Sequence, residues 1–140
     1  MIVLDTNVTS ELMKPAPSAQ VIGWVRNQRS AHLYTTAITV AEIGYGLERL
    51  PKGQRKEALR RAADDIFSAF ADQVLAFDAA AAQHYGRIVR RREATGTPIE
   101  GFDAQIASIC RAHDAVLATR NAKDFHDTEI AVVDPWSQHP

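Results

Sequence analysis

Met1-Ile2-Val3-Leu4-Asp5-Thr6-Asn7 is the stretch on which the reading of this chain turns. Four apolar residues fit the start of a strand buried on both faces. They run straight into a carboxylate, a hydroxyl and an amide. A turn would account for such residues, because short polar side chains suit turn backbone. In an open α/β sheet, however, ligands sit beyond the carboxyl ends of the strands. Whether Asp5 serves a turn or a site therefore depends on what the rest of the chain builds.

Outward from that strand, short apolar runs alternate with helical periodicity. Ser18 stands as an N-cap before Val21, Ile22, Trp24 and Val25. Leu33-Tyr34-Thr35 is a short β-rich run. Helical patterns follow over 39–49 and 54–70, the second with a stripe of Leu59, Ala63, Ile66, Phe67 and Phe70. Residues 74–77 read as strand and 79–94 as helix. Pro98 opens another helix carrying Ile106, Ala107 and Cys110, and 115–118 and 130–133 are the last strands. Strands separated by helices long enough for crossovers predict an α/β fold, a parallel sheet covered on both faces. No repeat, linker or low-complexity segment interrupts the pattern, so 1–140 reads as one domain.

The bulk properties exclude more than they identify. Length is 140 residues, enough for a substantial core, and 46% hydrophobic with 24% charged residues is an ordinary globular mixture. A net charge of -1 gives no global basic signal for nucleic acid. The lone Cys110 forms no intrachain disulfide, which fits a reducing cytosol. No run approaches a membrane span, and Asp5 interrupts the first apolar stretch too early for a signal peptide. A cytoplasmic protein is the expectation.

Several carboxylates sit oddly. Glu42 is the lone charge in Ala37-Ile38-Thr39-Val40-Ala41-Glu42-Ile43; the local alternative is a capping box, Thr39-x-x-Glu42. Asp103 shares a helical stripe with Ile106, Ala107 and Cys110, which places an acid on an inward face. An acid in a first turn favoured by the helix dipole explains its position but not that face. Asp124, in Asn121-Ala122-Lys123-Asp124-Phe125, follows a strand, and an ordinary solvated acid is the alternative there. Together the four come from separate segments of one α/β fold. Clustered carboxylates repel and persist where a cation neutralises them. Oxygen donors without a Cys/His set point to Mg²⁺, with Mn²⁺ as substitute, rather than Zn²⁺. The five scattered histidines offer no zinc spacing. Such an ion serves phosphodiester hydrolysis.

Here the sequence resembles a known family. Asp5-Thr6-Asn7 after the first strand, Thr39-x-Ala41-Glu42-x-x-x-Gly46, and Gly96-Thr97-Pro98-Ile99 leading to Asp103-x-x-Ile106-Ala107 carry the likeness. Ala118-Thr119-Arg120-Asn121-x-x-Asp124-Phe125 and Val133-x-Pro135-Trp136 complete it. In order and spacing these blocks resemble a PIN-domain endoribonuclease of the VapC toxin type, FitB-like subgroup. The resemblance implies a three-layer α/β/α sandwich around a parallel sheet of four to five strands. It implies a toxin of a type II toxin–antitoxin system that cleaves tRNA, rRNA or mRNA. Asp5, Glu42 and Asp103 would hold the metal. A fourth acid often stands where Asn121 is here, so either Asp124 or the Asn121 amide completes the site, with Asp124 expected to matter more. Thr6, Asn7, Thr119 and Asn121 would orient the acids or a bound water. The implied partners are a VapB-like antitoxin encoded upstream, a second copy of the chain, and operator DNA reached through the antitoxin.

Two basic runs are candidates for RNA contact, Arg87-Arg90-Arg91-Arg92 above all, and Lys52, Arg55, Lys56, Arg60 and Arg61; the alternative for each is a solvated helix face. Trp24 and Trp136 read as core or interface residues rather than base platforms. A phosphotransferase with Asp5 as nucleophile would want a second acid where Asn7 stands. A non-enzymatic alternative is a regulatory partner that, with its antitoxin, binds operator DNA; retention of three acids favours the nuclease.

Overall fold

The computed structural model describes residues 1–137. Five strands form one parallel sheet in the order β3-β2-β1-β4-β5: β1 Ile2–Leu4, β2 Leu33–Thr36, β3 Val74–Leu75, β4 Val116–Ala118 and β5 Val132–Val133. Six helices surround it: α1 Thr6–Met13, α2 Ala19–Arg26, α3 Ala37–Arg49, α4 Gln54–Ala69, α5 Ala79–Ala94 and α6 Gly101–His113. The expected three-layer α/β/α sandwich is the fold.

Alternation along the strands divides the core. Val3 and Leu117 face α5 and α6, packing with Ile88, Ile106, Ala107 and Cys110. Leu4, Leu33 and Ala118 face the other way, onto Val8 of α1 and Val21 of α2. Burying an aliphatic side chain of this size contributes about 1.5–3 kcal/mol, so β1 and β4 are held from both sides. The α3–α4 hairpin joins through Met13, Ile43, Leu47 and Ala63.

Several boundaries differ from the sequence reading, each for a local reason. Helix α1 goes unseen in the sequence, because Asp5 looks like the end of a turn. Its Oδ1 instead accepts a bond from Thr6 N–H at 2.8 Å and starts the helix as N-cap. Pro15 ends it by forcing Lys14 into extended backbone, φ -66 and ψ 149. Helix α3 begins at Ala37, capped by the Thr36 hydroxyl, which accepts from Thr39 N–H at 3.1 Å. The capping box Thr39-x-x-Glu42 is thus overturned: Thr39 lies inside the helix and Glu42 is free of any cap. Pro98 does not open α6; the Glu100 carboxylate caps it by accepting from Asp103 N–H at 3.1 Å. The edge strands β3 and β5 are two residues each, shorter than their apolar runs suggest.

All strands being parallel, their carboxyl ends lie along one edge. Helices that follow a strand start there. So does α6, which must run antiparallel to the sheet to deliver the chain to β4. The register brings Leu4 beside Ala118, so the next pair outward is Asp5 and Thr119, and Asp5 N–H donates to Ala118 O at 2.9 Å. The chain leaves β1 toward β2 on one side and returns at β4 on the other. That is the switch point where such sheets bind ligands.

Candidate active site

Asp5, Thr6, Asn7, Glu42, Asp103 and Asn121 line one pocket of about 440 Å³ at this edge. Each is placed by a different rule. Asp5 and Asn7 leave β1, Glu42 comes from the second turn of α3, Asp103 from the first turn of α6, and Asn121 follows β4.

Two hydroxyls orient the acids. Thr119 Oγ1 donates to Asp5 Oδ2 at 2.7 Å while accepting from Asn7 Nδ2 and from Asn121 N–H, both at 3.1 Å. A hydroxyl has one proton and two lone pairs, so this one is fully used and its proton points at Asp5. Thr6 Oγ1 donates to Glu42 Oε1 at 2.8 Å and lies 3.1 Å from Thr39 Oγ1. Its single proton being spent on Glu42, Thr39 is the donor to Thr6. Thr36 Oγ1 donates in turn to Thr39 Oγ1 at 3.4 Å. A one-way chain of hydroxyls thus runs from the end of β2 to Glu42.

The acids crowd one another. Burial raises the Asp5 carboxyl despite the bonds from Thr119 and Thr6, and the Asp124 charge adds to the rise. Burial also raises Glu42, against the Thr6 bond and with the charges of Asp5 and Glu100. Asp103 is pushed up to about 7, by burial first and then by Asp5, Glu100, Glu42 and Asp124. Perturbation of this kind, in a cleft, marks functional sites more often than structural ones.

The donor set fits a hard divalent cation. Asp5 Oδ1 and Oδ2 each hold one hydrogen bond and keep a lone pair, Glu42 Oε2 is open, and Asp103 accepts no hydrogen bond among the described residues. The acids share the pocket without closing into a ready cage: among the described residues no three acidic, His or Cys side chains are gathered as one.

The remaining candidates separate. Asn121 lines the pocket, whereas Asp124 is exposed on a 3-10 turn, Ala122–Phe125, outside the lining. Asn121 thus borders the pocket directly, while Asp124 reaches Asp5 and Asp103 through its charge. The Arg87-Arg90-Arg91-Arg92 run also divides. Arg87 and Arg91 pair with Glu129 at 3.3 and 3.2 Å, and Arg90 with Glu93 at 3.7 Å. Arg92 is removed from the RNA candidates, because it is buried. Its Nε donates to Thr97 O at 2.7 Å and its Nη1 to Asp124 O at 2.6 Å. None of the four lines the pocket. In the other run Arg60 pairs with Glu48 at 3.2 Å and Lys56 donates to Leu50 O.

Some residues at or beside the pocket escaped the sequence reading. Glu100 bears on both Glu42 and Asp103; its signal is the position three before Asp103. Arg120 and Trp136 form one wall. Arg120 was visible as the cation between Thr119 and Asn121, but nothing in sequence brings Trp136 to it.

With the geometry in hand, the relatives are informative. The PIN domain profile matches residues 2–131. The VapC ribonuclease Y4jK of Sinorhizobium fredii is 37% identical over 137 residues, covering 97% of this chain and 98% of that protein. Toxin FitB of Neisseria gonorrhoeae is 36% identical over 137 residues, covering 97% and 99%. The solved structure of FitAB bound to the IR36 DNA fragment superposes with a TM-score of 0.92 at 35% identity, over 100% of this chain and 99% of that one. The chain belongs to the PIN domain family, and within it stands with the VapC- and FitB-type toxins.

Proposed function

We propose that this chain is the toxin of a type II toxin–antitoxin pair and hydrolyses phosphodiester bonds of RNA in the cytoplasm. The observation that carries this reading is the meeting of Asp5, Glu42 and Asp103 in one pocket, from elements far apart in sequence, with every carboxyl raised by burial and charge. Three crowded acids destabilise the fold unless a cation joins them. Asp5, Glu42 and Asp103 would hold Mg²⁺, or Mn²⁺ in its place. When bound, such an ion supplies charge for the phosphoryl oxygens and acidifies a water. Thr119 keeps Asp5 turned toward the pocket, and Thr6 does the same for Glu42. Asn121, on the pocket wall and held by its backbone N–H on Thr119, would lend its amide to the bound ion or its water. Asp103, with no hydrogen-bond donor among the described residues, is the acid most dependent on the cation and the group best suited to carry a proton near neutrality.

The antitoxin reading has its own support. An apolar groove of about 270 Å³, with Met13, Ile43, Leu47 and Leu59 among its walls, shares Thr6 and Glu42 with the acidic pocket. An amphipathic antitoxin segment lying there would bring a basic side chain to the acids. The VapB-like partner also gives the DNA reading its place, since the FitAB relative was solved on DNA.

The deciding experiment is cleavage of purified RNA by the parent chain and by Asp5→Asn, each with Mg²⁺ and with EDTA. Cleavage should need the metal and fall at least ~100-fold in the variant, a loss of the size that deleting one charge-stabilising group produces. Equal rates with Asp5→Asn, or undiminished cleavage in EDTA, would falsify the reading.

A further inference from the structure

RNA approaching three carboxylates needs a cation on the pocket wall. Two cationic side chains line the pocket, Lys14 and Arg120. Lys14 is committed: its Nζ lies 2.9 Å from Glu11 Oε1. Glu11 takes its hydrogen bonds from Lys14 and, on Oε2, from Ser18 N–H at 3.0 Å, and Arg120 acts on it only as a more distant charge. Arg120 is exposed and has no salt-bridge partner among the described residues.

Arg120 is nonetheless held in place. Its guanidinium lies over the Trp136 ring, Cζ 5.0 Å from the centroid. Its backbone N–H donates to Asn7 Oδ1 at 3.2 Å. The neighbour on one side, Thr119, is bonded to Asp5, and the neighbour on the other, Asn121, is bonded back to Thr119. Trp136 is anchored too, by its backbone N–H on Asp134 Oδ1 at 2.8 Å and by packing of its ring against the cluster of Leu4 and Val8. A guanidinium stacked on an aromatic ring uses its face and keeps its in-plane N–H edge, the edge that grips phosphate bidentately.

We propose that Arg120 binds a phosphate of the RNA strand at the mouth of the acidic pocket, and that Trp136 is its positioning residue. The proposal rests on the RNA-cleaving reading of that pocket and deepens it: one group draws the polyanion in, beside the acids that act on it. Had Arg120 served only to cover Trp136, its removal would alter stability and leave the salt dependence of RNA binding untouched.

The test measures binding of a short labelled single-stranded RNA in Mg²⁺ over a range of salt, in the Asp5→Asn chain so that cleavage does not intervene. Adding Arg120→Ala should weaken binding about fivefold at low salt. It should also flatten the slope of log K against log salt by about 0.7, one phosphate's worth of counterions on a single strand. Arg120→Lys should keep most of the slope and lose part of the affinity. Trp136→Leu should weaken binding, and Trp136→Phe should restore it. In the otherwise parent chain, Arg120→Ala should raise KM about fivefold and leave kcat within about twofold. An unchanged affinity and slope would overturn the role of Arg120, while Asp5-dependent cleavage would still stand for the site. A parent chain that neither binds nor cleaves RNA would overturn both.

Discussion

Asp103 carries its charge unassisted, and this has a measurable sign. Its carboxyl titrates near 7 in the folded chain against an ordinary 3.8. Between those values the metal-free fold holds a proton that the unfolded chain has released, so stability falls as pH rises through the window. Asp103→Asn removes that titration. In EDTA at about pH 8 the variant should therefore melt above the parent, with the gap closing toward about pH 4. Added Mg²⁺ should raise the parent more than the variant, because only the parent keeps all three carboxylates to bind it. A variant that melts lower than the parent in EDTA throughout would show that the carboxylate is not under charge stress. At this scale the sequence was legible where periodicity fixes a face: Asp103 shares its stripe with Ile106, Ala107 and Cys110, all fully buried. Glu42 was harder, because the helix start decides what it does and that start is set by Thr36, one residue before the apolar pattern begins. That Asn121 rather than Asp124 lines the pocket was not legible at all. It depends on the path of a 3-10 turn that no periodicity announces.

Helix α5 shows how an element can hide a structural role inside a charge run. Arg92 follows Ile88 by four residues and so lies on the same face, and Ile88 and Arg92 are both buried. The spacing was the signal, and the density of arginines obscured it. Arg92 ties the end of α5 to Thr97 O, and to Asp124 O beyond β4. Between them Gly96 turns the chain with φ +75, a conformation that favours glycine. Arg92→Ala should cost about 3 kcal/mol, since charge-assisted bonds are lost and a buried side chain is removed. Arg92→Lys should recover less than half of it, an ammonium having no fork with which to reach both carbonyls. Denaturant midpoints at unchanged m-value report this directly. A loss under about 0.5 kcal/mol, the range of ordinary surface substitutions, would place Arg92 back among the solvated arginines.

The parallel sheet as a whole was the most legible feature, because crossover lengths and apolar runs leave few other arrangements. Its strand order and the cavity wall built by Arg120 and Trp136 were not, since both arise from contacts between distant segments. At this scale the proposed partner makes a prediction. Co-expressed with the protein encoded upstream, the chain should yield a complex with at least ~10-fold less RNase activity than the free chain, an allosteric or competitive coupling of ordinary size. Replacing with alanine the basic side chains that the partner's amphipathic segment brings to the acids should return the activity while the complex persists. A complex as active as the free chain would exclude inhibition at the acidic pocket. The pairing of β1 with β4 has one more consequence, and it concerns time. Asp5 is made 114 residues ahead of Thr119, which orients it from just past the end of β4. At about 5–20 residues per second the acid waits roughly 6–23 s for its hydroxyl, with the central strand lacking one neighbour throughout. The pocket is therefore unassembled until Thr119 has been made, and the site comes into being only after that residue can reach Asp5.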